Sequence, residues 1–215
     1  MNKLSSKIWL FALVLALFSL NSSAAELSAT AQVKSTVDEI LSVLKEKTAD
    51  TQNRRDKIRE LINSRFYFRA MSQSALSRNW KKASPEQQAE FVKLFSQLLE
   101  NTYIGRIEAY TDEKVEYLRE KNKSPTRSVV YTQILTQSAD IPIYYKMAKK
   151  NDQWLVYDVV IEEVSLISNY RTSYAEIIKN EGMDGLLKRM KEKVKETAAP
   201  VKPAAPSNIS LIPTS

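Results

Sequence analysis

The hydrophobic period of this chain changes twice, and that change restricts the fold more than any other feature. Phe91, Leu94, Phe95, Leu98, Leu99 and Tyr103 recur at i, i+3, i+4, i+7 and i+8, the stripe of an amphipathic helix. Past Thr111 the period falls to two. Val115, Tyr117 and Arg119 share one side of a first run over Lys114 to Arg119. Val129, Tyr131, Gln133 and Leu135 alternate against Val130, Thr132 and Ile134. Ile143, Tyr145 and Met147 alternate against Tyr144 and Lys146. Trp154, Val156, Asp158 and Val160 alternate against Leu155, Tyr157, Val159 and Ile161. β-branched and aromatic residues at this period, separated by polar turns, read as an antiparallel meander. Lys150-Asn151-Asp152 is the clearest hairpin turn. Helical spacing returns at Leu166, Tyr170, Tyr174, Ile177 and Ile178. Helices, then a meander, then helices predict an α+β fold with segregated layers.

The helical segments carry their own boundary signals. Val33, Val37, Ile40, Leu41 and Leu44 mark a first helix from Leu27 to about Thr48. Asn53 is placed to cap a second, bearing Ile58, Leu61 and Ile62. A short segment with Phe66, Phe68, Met71 and Leu76 leads to Trp80. Ser84-Pro85-Glu86-Gln87 predicts a capping box with proline at the first helical position. Gly182 is placed to end the 166–181 helix with a left-handed cap, and Asp184 to about Thr197 reads as a last helix bearing Leu186, Leu187, Met190 and Val194.

Both ends read as lying outside the domain. Lys3 and Lys7, the apolar run Ile8 to Leu20, and Ser22-Ser23-Ala24-Ala25 follow the order of a cleavable secretory signal peptide over residues 1–25. Residues 198–215 place Pro200, Pro203, Pro206 and Pro213 among alanines and polar residues, too little apolar material to fold. The domain expected between them is 26–197. The net charge is +7 for the full sequence, and loss of Lys3 and Lys7 brings it to +5, which favours anionic partners such as lipid headgroups.

The chain has neither cysteine nor histidine. That removes thiol and imidazole catalysis, zinc sites built on those residues and a Ser-His-Asp triad. Three glycines, at 105, 182 and 185, form no nucleotide-binding fingerprint. No metal or cofactor is expected. Asp158, Glu162 and Glu163 are the acids best grouped for acid–base work, with solvated acids at a strand end as the plainer role. Arg65-Phe66-Tyr67-Phe68-Arg69 has a basic-aromatic pattern, but export argues against nucleic acid. What stands out is large apolar material. Phe91, Phe95, Leu98 and Tyr103 on one helix face Val129, Tyr131, Ile143, Tyr145, Met147, Trp154 and Val156 on the sheet. Taken singly, each has core packing as its more common role. Periodicity does not distinguish a filled core from a cavity.

An ordered series of residues carries a family resemblance. Phe66-Tyr67-Phe68, Met71, Leu76, Trp80, Ser84-Pro85-Glu86-Gln87, Phe91, Phe95, Leu99 and Tyr103 come first. Pro142, Tyr145, Trp154, Asp158-Val159, Val164-Ser165-Leu166, Asn169-Tyr170-Arg171, Gly182, Gly185 and Leu186 follow. Over roughly residues 30 to 195 the chain resembles the MlaC (toluene-tolerance) family. It departs where the family usually has Asp at Tyr67, Gly at Ser77 and at Glu163, and Gln-Phe at Ser173-Tyr174. The resemblance implies a monomeric, non-enzymatic phospholipid carrier in the periplasm of a Gram-negative bacterium. The implied fold is NTF2-like: a curved antiparallel or mixed sheet wrapped by helices over an apolar cavity. The apolar set above would line that cavity. The implied partners are phospholipid, an inner-membrane ABC transporter complex with an MCE-domain subunit, and an outer-membrane lipoprotein complex. Competing readings are a non-catalytic envelope adaptor and a carboxylate enzyme using Asp158 or Glu162 as base.

Overall fold

The computed structural model describes residues 27–46, 50–109, 114–137 and 139–198. The expected signal peptide, and the tail beyond Ala198, lie outside the described residues. Helices α1 (Ala29–Lys45), α2 (Thr51–Arg65) and α3 (Phe68–Leu76) come first, then a 3₁₀ turn (Ser77–Lys82) and α4 (Pro85–Glu108). Strands β1 (Lys114–Ser124), β2 (Arg127–Leu135), β3 (Asp140–Lys150), β4 (Gln153–Ile161) and β5 (Val164–Ser165) form one curved sheet in the order β1-β2-β3-β4-β5. Every strand pairing is antiparallel, so the sheet is a plain meander and the architecture is α+β. Helix α5 (Leu166–Ala198) closes the chain and is broken at Gly182.

The local signals explain most boundaries. The Ser84 hydroxyl accepts from the Gln87 amide at 3.2 Å, and the Gln87 side chain accepts from the Ser84 amide at 3.0 Å, completing the expected capping box. Helix α2 is capped by Asp50, which accepts from the Asn53 amide at 3.0 Å; Asn53 supplies the donor and is not the cap. An aspartate three residues ahead is as good a cap as asparagine and starts the helix a turn sooner. Asn151 and Asp152 take positive φ (49° and 60°) and make the β3–β4 hairpin a two-residue turn, as expected.

Gly182 has φ 73° and ψ −177°, an extended mirror-image conformation rather than the left-handed helical cap. That region is open essentially to glycine alone, and any other residue there costs about 1–3 kcal/mol. Gly185 answers a separate need, because a Cβ there would collide with Glu181 Cβ. Ser77 and Glu163, where the resembled family usually has glycine, keep positive φ (50° and 65°). Both positions thus hold a residue other than glycine in a backbone region that favours glycine.

Two strand irregularities set which residues face inward. A register shift in β1 between Tyr117 and Arg119 leaves Leu118 unpaired. Val115, Tyr117 and Glu120 are consequently half-buried, whereas Arg119 lies on the outer face with its guanidinium 4.3 Å from the Tyr131 ring centre. A second shift, where Lys146 pairs Asp158 but Met147 pairs Val156, leaves Tyr157 unpaired in β4. A bulge reverses the alternation beyond it. Trp154 and Val156 before it, and Val159 and Ile161 after it, share the inner face; Asp158 and Val160 turn outward with Lys146 and Tyr144. Unbroken alternation would have placed Asp158 with Val156.

The core is divided. Phe91 and Phe95 of α4, both with no exposed surface, pack on Tyr170 and Tyr174 of α5 together with α2 and α3. The inner sheet face gathers Val130, Ile143, Met147, Trp154, Val156, Val159 and Ile161 around Ala29 and Val33 of α1. Phe66 touches both groups, and the Tyr67 amide donates to the Val156 carbonyl at 2.8 Å, pinning the α2–α3 junction to β4.

Candidate functional site

Between the two halves of the core lies a cavity of about 300 Å³. One face of α1 forms a wall, with Val33, Val37, Ile40, Leu41 and Leu44 in apolar succession. Ile62, Phe66, Phe68 and Met71 close it at the α2–α3 junction, and Leu99, Tyr103 and Ile107 come from the second half of α4. The sheet supplies Val115, Ile134, Ile143, Tyr145, Met147, Trp154, Val156, Val159 and Ile161, and Leu166 comes from α5. The volume is at the lower end of the ~300–1,000 Å³ usual for small-molecule sites, and the lining has the expected apolar character. Burial away from water pushes the Tyr145 phenol up to about 12, as an environment of low dielectric requires.

Of the residues expected on this wall, Tyr103, Ile143, Tyr145, Met147, Trp154 and Val156 are there. Phe91, Phe95, Leu98, Val129 and Tyr131 are not. Phe91 and Phe95 are consumed in packing on α5, and Leu98 is buried away from the lining. Val129 and Tyr131 stand on the outer sheet face, where the Tyr131 ring lies 4.6 Å from that of Tyr144. The face of β2 turned inward is the other one, Ser128, Val130, Thr132 and Ile134. Sequence reasoning set α4 opposite the sheet and missed α1. Its signal was the stripe Val33, Val37, Ile40, Leu41, Leu44, which has the right period but no aromatic residue to single it out.

Asp158, the candidate base, does not line the cavity. It accepts from Lys146 Nζ at 2.8 Å, from the Ser165 hydroxyl at 2.7 Å and from the Ile167 amide at 3.2 Å, which joins β4 to the start of α5. Glu162 and Glu163 occupy the β4–β5 turn at positive φ, and Glu163 accepts from the Tyr144 hydroxyl at 2.6 Å. The three acids form no common site. Among the described residues, no group of three or more metal-ligating side chains is present, and no helix is long and apolar enough to cross a membrane.

The polar part of the lining is small: Gln32, Thr36, Arg65, Glu100 and Arg106. Glu100 is buried, which raises its pKa, while a hydrogen bond with Asn63 and the charge of Arg59 oppose the rise. Arg65 reaches Glu39 of α1 at 3.5 Å. Further along, Lys57 pairs with Glu46 at 2.7 Å; both pairs are part-exposed, and Val43 of α1 shares the buried helical cluster with Ile58 and Ile62 of α2.

At its other end α1 is tied to the sheet. Glu120 accepts from the Thr30 amide at 2.8 Å and the Thr30 hydroxyl at 2.7 Å, and from the Ser128 hydroxyl at 3.1 Å. Burial raises the pKa of this carboxyl, but the bonds from Thr30, Ser128 and the Ala29 amide outweigh it and the net direction is down. A carboxyl depressed in the folded state stabilises above its unfolded value, about 4.3, and loses that stabilisation as pH falls through the folded value. Glu120→Gln is therefore expected to speed amide exchange in the first turns of α1 at pH 7. The difference from the parent protein should shrink below about pH 4. Amide hydrogen exchange resolved by residue measures both; equal exchange at pH 7 would remove Glu120 as the anchor.

Known proteins agree with this geometry. The MlaC protein family profile matches residues 34–192. A curated relative from Haemophilus influenzae, the intermembrane phospholipid transport system binding protein MlaC, is 28% identical over 118 residues, which cover 53% of this chain and 55% of the relative. The chain thus aligns with about half the length of that relative. A solved phospholipid-binding protein from Ralstonia solanacearum, determined in complex with a phospholipid, superposes with a TM-score of 0.73 at 28% identity, covering 80% of this chain and 99% of that one. With the profile spanning both the helical half and the sheet that enclose the cavity, the chain belongs to the MlaC protein family.

Proposed function

We propose that this protein is a periplasmic phospholipid carrier that holds acyl chain in the cavity between α1, α4 and the sheet. The observation that carries the reading is an apolar space left unfilled between two well-packed half-cores. Large side chains at Phe66, Tyr103, Tyr145 and Trp154 line it. A void of this kind forfeits dispersion contacts, and native interiors hold few of them. A ligand that restores those contacts explains why it is kept. Each methylene withdrawn from water contributes about 0.8 kcal/mol, so a chain of ~15 supplies on the order of 12 kcal/mol before the costs of ordering.

The lipid would be exchanged between an inner-membrane ABC transporter complex with an MCE-domain subunit and an outer-membrane lipoprotein complex of the Mla type. The domain over residues 26–197 would act as a monomer after loss of the 1–25 signal peptide, with the 198–215 tail outside it, and without catalysis or nucleic acid. Loading requires α1 to move from the sheet, and its ionic tethers suit a reversible opening. Native mass spectrometry of the gently purified protein is the test. We expect one bound phospholipid per chain, and uptake from vesicles after delipidation. Protein that is always empty and accepts no lipid from vesicles would overturn the reading.

A further inference from the structure

Helices α2 and α4 are rich in arginine, of which Arg65 and Arg106 line the cavity, and their partners differ. Arg54 and Arg55 share Glu108, with Arg55 gripping it through Nε and Nη2 at 2.8–3.0 Å. Arg59 lies 4.0 Å from Glu100, and Arg65 reaches Glu39. Arg106 has no carboxylate partner among the described residues. Its guanidinium lies 5.4 Å from the Tyr103 ring centre, one helical turn away, and its buried Nη1 has no hydrogen-bond partner among the described residues. The Tyr103 hydroxyl is likewise buried and without a partner among the described residues. Both residues line the cavity.

Two unmet donors, one of them charged, sit one helical turn apart on α4; the other polar lining residues are Gln32, Thr36, Glu100 and Arg65, and Arg65, whose Nε is also buried without a partner among the described residues, already has Glu39. Buried donors are nearly always met, so an exception calls for a reason. Neither group lacks an acceptor because its helix is badly placed, since α4 is capped and well packed. Phosphate oxygen suits a guanidinium fork better than any neutral acceptor does. We propose that Tyr103 and Arg106 form an oxyanion subsite on the cavity wall that receives a phosphate oxygen, either of a lipid headgroup or of free phosphate. The assignment rests on the carrier reading above and adds to it a polar anchor that fixes which end of the lipid lies against α4.

The test offers delipidated protein an equimolar mixture of phosphatidylglycerol and diacylglycerol with identical acyl chains and counts bound species by native mass spectrometry. The parent protein should favour the phospholipid by ~10-fold or more, the scale of one charge-assisted hydrogen bond pair. Tyr103→Phe, which removes one oxygen and no bulk, should lower the ratio several-fold, and Arg106→Met should bring it within about 2-fold of unity. Arg119→Met removes a comparable guanidinium and ring contact from the outer sheet face and should keep the parent ratio. Inorganic phosphate added to the parent protein identifies the source: if it erases the preference the subsite also takes phosphate from solution, and if it does not the headgroup is the ligand. Equal uptake of the two lipids by the parent protein, or an unchanged ratio in both variants, would overturn the subsite while leaving the carrier reading standing. Uptake of neither lipid would overturn both.

Discussion

Val156→Glu is expected to lower phospholipid uptake by at least ~100-fold, whereas Tyr131→Glu, a larger chemical change on the same sheet, should alter it less than about 2-fold. Val156 faces the cavity from β4 and is buried. A carboxylate there would sit among Met147, Trp154 and Val159 and would have to be desolvated each time a chain entered. That desolvation costs several kcal/mol, and each 1.4 kcal/mol is a factor of ten in affinity. Tyr131 lies on the outer face against Arg119 and Tyr144, where a glutamate meets solvent and a guanidinium. Because the Val156 carbonyl accepts the Tyr67 amide, circular dichroism and urea unfolding must accompany the uptake assay. Val159→Phe gives a second route that adds no charge: it fills the space from the same wall and should also reduce uptake. Folded variants at both Val156 and Val159 with parent-like uptake would show that acyl chain does not lie against β4.

The contrast between Val156 and Tyr131 also shows where sequence reasoning runs out. Period two identified β2 and β4 and grouped their residues by face, but it does not say which face is inside. For β2 both sets contain β-branched residues, so composition does not separate Val129 and Tyr131 from Val130 and Thr132. The structure turns Val130, Thr132 and Ile134 inward instead, because β2 pairs with β3 in a register that sets Val130 beside Tyr145 and Thr132 beside Ile143. For β4 the single extra residue at Tyr157 was invisible, since a bulge has no composition of its own when no glycine marks it. Helix boundaries were far more legible, because caps depend on side chains two or three residues away. The capping box at Ser84 and the break at Gly182 are cases in point. The cavity itself is a property of the distance between layers. Residues that only pack, such as Phe91 and Phe95, and residues that line the cavity, such as Phe66 and Tyr103, belong to the same hydrophobic class. Only the placement of α5 behind α4 decides which are which.

The same bulge makes Asp158 a structural residue, and Asp158→Ala is expected to destabilise the fold by about 3 kcal/mol, the lower end of what breaking a buried charged cluster costs. Three donors converge on this carboxylate, which is 5% exposed. Lys146, with about a third of its side chain exposed, can turn to water when the carboxylate goes, so the ion pair is the smaller part of the loss. The Ile167 amide and the Ser165 hydroxyl cannot. Ser165 itself accepts from the Ser168 amide at 3.1 Å, so Asp158 holds the residue that caps α5 and places negative charge at the positive end of that helix. For a domain of this size the change corresponds to a fall in Tm of roughly 6–12 °C. Asp158→Asn keeps acceptor oxygen for one of the donors and should lose less than half as much. Thermal and urea unfolding of the two variants measure the difference. Lipid uptake, assayed well below the new Tm, should survive in Asp158→Asn, since the side chain stands on the far side of β4 from the cavity. If Asp158→Ala unfolds with the parent, the β4–α5 junction is held by something other than this carboxylate. If Asp158→Asn is fully stable yet takes up no lipid, the residue acts on the cavity and its outward placement is wrong.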